Sequence, residues 1–179
     1  MSKNVLAIVS SPRKNGNSEI LVDEFLSGAV ESGNVITKLC LREKKIAPCL
    51  ACEVCLGNGG SCVQKDDMAE ILEQIDKADV IVLSTPVYYY SISAQLKIMI
   101  DRTLAGGGKI KNKEFYFITT AADGAHAMEG TMNDMQGYVN CIPGSTVRGK
   151  VYGSAFGIGE IKRKGEKALK EAFEYGKNC

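Results

Sequence analysis

The chain alternates between two hydrophobic patterns. Short runs rich in Val, Ile, Leu and Phe read as strands: Val5–Ser10, Val35–Leu41, Asp79–Ser84, Glu114–Thr120 and Thr146–Tyr152. Helical periods lie between them. In Asn17–Ser32, Leu21, Phe25 and Ala29 form one row and Val22, Leu26 and Val30 a second, a wide face for packing on a sheet. Met68, Ile71, Leu72 and Ile75 recur at helical spacing after Asp66-Asp67, with Asp67 and Glu70 placed as a capping box. A third helix is expected from Ser93 to Leu104, ended by Gly106-Gly107-Gly108. A fourth is marked by Met128, Met132, Met135 and Val139. The last runs over Lys164–Tyr175, closed by Gly176.

Strands alternating with helices predict an α/β fold, a doubly wound five-stranded parallel sheet in three α/β/α layers. Neither a repeat nor a linker interrupts residues 1–179, so a single domain is expected, with a cysteine-rich loop at 47–64. The strand order 2-1-3-4-5 would open a crevice between the ends of strands one and three, where such sheets bind ligands.

The loops at that edge differ in chemistry. After strand one, Ser10, Ser11, Asn15, Asn17 and Ser18 offer side-chain donors and Arg13 adds charge, at the positive end of the first helix. Ser-Pro-Arg-Lys-Asn-Gly is good turn chemistry anywhere; its place between a buried strand and a helix start makes it a phosphate loop. The second loop, Pro86–Tyr90, is aromatic and stiffened by proline. The tyrosines also suit a core or an interface, but ring contact is the expectation. The third, Thr119–His126, is small with polar ends. The three together suit a mononucleotide with a large planar head. His126, the only histidine, reads as a solvated loop residue.

Composition narrows the field. Of 179 residues, 45% are hydrophobic, enough for a proper core. Lys and Arg number 22 against 21 Asp and Glu, so no nucleic-acid surface or polybasic membrane patch is expected. No stretch is long and apolar enough to span a bilayer, and Met1–Asn4 runs directly into the first strand without the pattern of a signal peptide. A cytoplasmic protein is expected, with its seven cysteines serving as thiols, ligands or redox groups.

Several segments resemble the NADPH-dependent FMN reductase family of flavodoxin-like proteins. They are Ser10–Ser18, Thr85-Pro86-Val87-Tyr88, Ser93–Lys97 with Ile100-Asp101-Arg102, Cys62–Met68, and the tail from Gly157 to Gly176. The resemblance implies a flavodoxin-like fold, non-covalent FMN, NAD(P)H as electron donor and a homodimer or homotetramer. Residue by residue, it implies phosphate binding by Ser10, Ser11, Arg13, Asn15, Asn17 and Ser18. Pro86, Val87, Tyr88 and Tyr89 would line the isoalloxazine, with Ala121, Ala122 and Asp123 at its other edge. Many members carry a small residue after Pro-Val-Tyr; here Tyr89 and Tyr90 add bulk that would narrow nicotinamide access. No acid–base catalyst is expected, because the flavin itself carries the electrons.

The second signal is Cys49, Cys52, Cys55 and Cys62, four of seven cysteines within fourteen residues. Two-residue gaps let three thiolates converge on one centre, as in ferredoxin runs. In this fold the run resembles the iron–sulfur flavoproteins, which carry a [4Fe–4S] cluster beside FMN. Zinc is a second reading, although its paired knuckles usually stand farther apart. Free or oxidised thiols are a third. Cys40, Cys141 and Cys179 have no partner by spacing. Three functions follow: an FMN-dependent oxidoreductase using NAD(P)H or a protein donor, an iron–sulfur flavoprotein relaying electrons between its cluster and FMN, and a non-redox FMN- or zinc-binding module. Partners would be small-molecule or protein electron donors and acceptors.

Overall fold

The computed structural model describes residues 2–106 and 108–179. Met1 and Gly107, the centre of the expected glycine stop, lie outside them. The strands are β1 (Asn4–Val9), β2 (Val35–Cys40), β3 (Val80–Pro86), β4 (Glu114–Ala121) and β5 (Thr146–Ser154). All pair in parallel in the order β2-β1-β3-β4-β5. The helices are α1 (Asn17–Glu31), α2 (Val54–Gly57), α3 (Met68–Lys77), α4 (Ala94–Arg102), α5 (Glu129–Asn140), α6 (Ile161–Lys164) and α7 (Glu166–Lys177). Among the described residues no helix is long and apolar enough to cross a membrane.

Alternation along β1 builds two cores. Leu6 and Ile8 pack with α3, α4 and α5, while Val5, Ala7 and Val9 pack with α1, α6 and α7. Burial on both faces explains why the central strands read as unbroken apolar runs. α1 and α7 cross closely at paired glycines: a Cβ on Gly28 would land on the Phe173 carbonyl, and one on Gly176 on the Phe25 carbonyl. α1 is thereby held against the sheet.

Four local expectations are corrected. Gly176 does not close the last helix but lies inside α7, where its missing side chain lets α1 approach. The segment before it is the separate turn α6. Val30 faces solvent, 53% exposed, at the fading end of the α1 stripe. The Asp67–Glu70 capping box does not form: Asp67 accepts from the Lys45 amide at 2.7 Å, Glu70 pairs with Lys44 at 2.7 Å, and Asp66 accepts from the Met68 amide at 3.2 Å. Finally, α4 ends at Arg102 and continues as a 3₁₀ turn over Thr103–Gly106. The acidic pair is thus used to fasten the preceding loop.

Candidate functional site

The carboxyl ends of the strands enclose a cleft of about 500 Å³. Its walls come from four segments: the β1–α1 loop, the turn after β3, the end of β4, and the loop after β5. Ser11, Arg13, Asn17, Ser18, Pro86, Val87, Tyr88, Ala121 and Ala122 all line it, so three loops expected to act together do meet. The cleft volume falls within the range of ordinary cofactor pockets.

At its polar end stands the start of α1, with Gly16 as N-cap and no side chain capping it. The first-turn N–H groups of this fifteen-residue helix and its dipole face the loop. Ser18 lines the cleft, and its hydroxyl is buried without a protein partner. A buried orphan hydroxyl beside an uncapped helix start suits an anion with several acceptor oxygens. These features fit the phosphate of FMN.

The remaining sequence-chosen residues do other work. Ser10 is fully buried behind the loop, where its hydroxyl accepts from Ser93 Oγ at 2.9 Å. Ser93 in turn donates its amide to Thr85 Oγ1 at 3.0 Å, tying β1, β3 and the start of α4 together. Asn15 stands outside the cleft lining, with a left-handed φ of 56° and its amide donated to Glu19 at 2.8 Å. Asn17 lines the cleft, but its side-chain amide donates to the Gly157 carbonyl and its oxygen accepts from the Ile161 amide. It holds the β5 loop with its side chain. Asp123 is exposed, caps the Gly124 amide and stands 3.4 Å from His126 Nε2. Tyr89 points fully into solvent.

Two carboxylates brace the site. Glu19 is buried and forms a fork with Arg42 at 3.0 and 3.1 Å, with Lys38 at 3.0 Å. Burial raises its pKa, but hydrogen bonds from Lys38 and Arg42 outweigh that and hold it below the ordinary carboxylate value. Glu160 accepts from the Phe156 and Gly157 amides, each at 2.9 Å, and pairs with Lys164 at 2.6 Å. Lys164 first, then the two amides, pull its pKa down to about 2. Sequence reasoning did not select Ala155 and Phe156 of the β5 loop, which supplies the fourth wall, and named neither Gly157 nor Ile158 nor Thr120 of the third loop as a site residue. Phe156 between small residues at a strand end was the available signal.

The aromatic turn is strained. Tyr89 and Tyr90 both have left-handed φ, 50° and 61°, within a tight Tyr88–Ser91 bridge. Such turns usually recruit Asn or Gly. Ser91 Oγ donates to Asp134 at 2.6 Å, and Gly130 admits the Tyr90 carbonyl against α5.

The cysteine loop forms a second, separate feature. Cys49, Cys52, Cys55 and Cys62 line one small surface pocket together with Arg102, and all four are free thiols. Ala51 and Glu53 adopt left-handed φ of 50° and 57° between the first cysteines, reversing the chain so that the thiols share a side. Among the described residues no three metal-ligating side chains stand close enough for a single ion. Four thiols around one pocket suit a multi-iron cluster, whose ligands sit farther apart than those of one zinc ion.

The family model for NADPH-dependent FMN reductases matches residues 3–157. The chain belongs to that family. This NADPH-dependent FMN reductase family member is 34% identical over 174 residues to an iron–sulfur flavoprotein of Archaeoglobus fulgidus, covering 96% of this chain and 76% of the relative. It is 35% identical over 136 residues to an iron–sulfur flavoprotein of Methanocaldococcus jannaschii, covering 75% and 70%. Among solved structures, the NAD(P)H:quinone oxidoreductase of Methanothermobacter marburgensis superposes with a TM-score of 0.75 at 19% identity, covering 99% and 96%. That last likeness is one of fold, flavodoxin-like as the strand order requires. Family membership makes the chain an FMN-dependent oxidoreductase.

Proposed function

We propose that this oxidoreductase binds FMN in the strand-end cleft and carries a [4Fe–4S] cluster on Cys49, Cys52, Cys55 and Cys62, with NAD(P)H or a reduced protein as donor and a small molecule or protein as acceptor. The observation that carries the flavin site is the orphaned Ser18 hydroxyl beside the uncapped start of α1. Ser11, Arg13 and Ser18 hold the phosphate; Ser10, Asn15 and Asn17 keep the loop in shape. Pro86, Val87 and Tyr88 form one wall for the ring, and Ala121 and Ala122 the other. When bound, FMN supplies hydride and single-electron transfer. The protein supplies position, dryness and hydrogen-bond donors. The four free thiols around one pocket and the iron–sulfur flavoprotein relatives support the cluster.

The relatives named as FMN-dependent NADH:quinone oxidoreductases favour a nicotinamide donor and a quinone-like acceptor. Phe156 and Ile158 at the cleft, Tyr89 on the aromatic turn, and Leu50, Leu56 and Leu104 near the thiols are exposed, which supports a homodimer or homotetramer. Anaerobic purification tests the whole reading. Bound FMN, about four irons per chain and NAD(P)H-dependent bleaching of the flavin are expected. Flavin without iron leaves a plain reductase, and colourless protein that refuses FMN removes the assignment. Light scattering of the same sample reads the assembly, and a monomer would contradict it.

A further inference from the structure

We infer that Arg102 staples the cysteine loop at its base and, through Cys62, raises the reduction potential of the cluster that the loop holds; this rests on the cluster reading above. Arg102 is a large charged side chain, yet it is 2% exposed. Its guanidinium forms a two-pronged pair with Asp66, Nη1 to Oδ2 at 2.7 Å and Nη2 to Oδ1 at 2.9 Å. Nη1 also donates to the Ala47 carbonyl at 2.7 Å. Asp66 in turn accepts from the Ala47 amide at 3.0 Å. Ala47 opens the cysteine loop and Asp66 lies two residues past its end, so one ion pair closes the loop at its base. An irregular loop of this length needs such a closure, because its own short helix α2 buries nothing.

The same side chain reaches the thiols. Nη2 stands 3.5 Å from Cys62 Sγ in donor geometry, and Arg102 lines the four-cysteine pocket. Its Nε is buried with no acceptor in the protein. A buried guanidinium N–H left unpaired is costly. Thiolate and sulfide sulfurs are acceptors of the kind this pocket would bring within reach of that group. A fixed positive charge and N–H···S bonds favour the more negative, reduced state of an iron–sulfur centre and so move its potential upward. Arginine suits the position because its planar fork serves Asp66, Ala47 and Cys62 at once, which a lysine ammonium cannot do.

Arg102 also ends α4, whose other end, Ser93, is bonded to Ser10 and Thr85 behind the flavin cleft. One straight helix, rising about 14 Å over nine residues, therefore links the frames of the two sites.

The test compares wild type, Arg102→Lys and Asp66→Asn, each reconstituted anaerobically with ferrous iron and sulfide. The measurements are iron content, cluster midpoint potential by spectroelectrochemistry, the rate of iron loss to a chelator, and FMN affinity. For Arg102→Lys, a shift of the cluster potential to more negative values is expected, with FMN affinity unchanged. For Asp66→Asn, which keeps the arginine beside Cys62 but loosens the staple, iron loss several-fold faster than wild type is expected, with a smaller shift in potential. A wild-type potential in Arg102→Lys overturns the tuning role. If Arg102→Lys does not fold, Asp66→Asn decides, and wild-type iron retention there overturns the staple. Wild-type protein that takes up no iron but binds FMN fells the cluster reading and this inference together, whereas iron uptake with unaltered variants fells this inference alone.

Discussion

The strand-end cleft and the cysteine loop are held by different physics. The cleft is made of strand ends and one helix start, so sheet register and two apolar cores fix it. Its loop residues Ser10, Asn15 and Asn17 are committed to hydrogen bonds within the protein. The cysteine loop has a single four-residue helix, two left-handed non-glycine residues and exposed Leu50 and Leu56. A few polar bonds at its base hold it. The difference teaches that a change in the cleft should alter binding without altering architecture, while a change at the base of the loop should disperse the thiols.

Ser11→Asp places a carboxylate where the phosphate is proposed to bind. It should weaken FMN binding by about 100-fold or more with the circular dichroism spectrum intact, and unchanged flavin retention would remove Ser11 from the site. Gly28→Ala strikes the scaffold instead. The new methyl meets the Phe173 carbonyl, which should cost about 2 kcal/mol and lower Tm by about 4–8 °C. A Tm equal to wild type would mean that α1 and α7 slide apart easily and that the cleft floor is soft.

Glu160 offers a milder probe of the cleft wall. Its folded pKa of about 2 lies below the ordinary value of 4.5, so its bonds to Phe156 and Gly157 contribute fully above about pH 5 and fade as pH falls toward 2. The stability advantage of wild type over Glu160→Gln should shrink across that window, and FMN affinity at pH 7 should be a few-fold weaker in the variant. Wild-type affinity in Glu160→Gln would detach the β5 loop from flavin binding. Cys52→Ala should have the smallest effect on the fold, within about 0.5 kcal/mol because the side chain is exposed. It should abolish the iron and spare the flavin, and global unfolding would instead make the thiols structural.

Strand order, helix placement and the meeting of three loops were legible because buried parallel strands and amphipathic helices write their periods directly into the chain. Contacts between residues distant in sequence were not. Asn17 looked like a phosphate donor by composition, but its partner is Gly157, 140 positions away. Asp67 and Glu70 matched a capping box, yet Lys45 and Lys44 claimed them. Gly176 read as a helix stop because only the folded chain places Phe25 against it. Arg102 stood in a segment that matched the family, but its role was not legible there, since it comes from Asp66 and Cys62 across a loop.

The central claim is that a phosphate binds at the start of α1. Fluorescence titration of the apoprotein with FMN and with riboflavin, which lacks only the phosphate, tests it most directly. FMN should bind at micromolar concentration or tighter, and riboflavin at least about 100-fold more weakly. Equal affinities would place the phosphate outside the helix start and contradict the account.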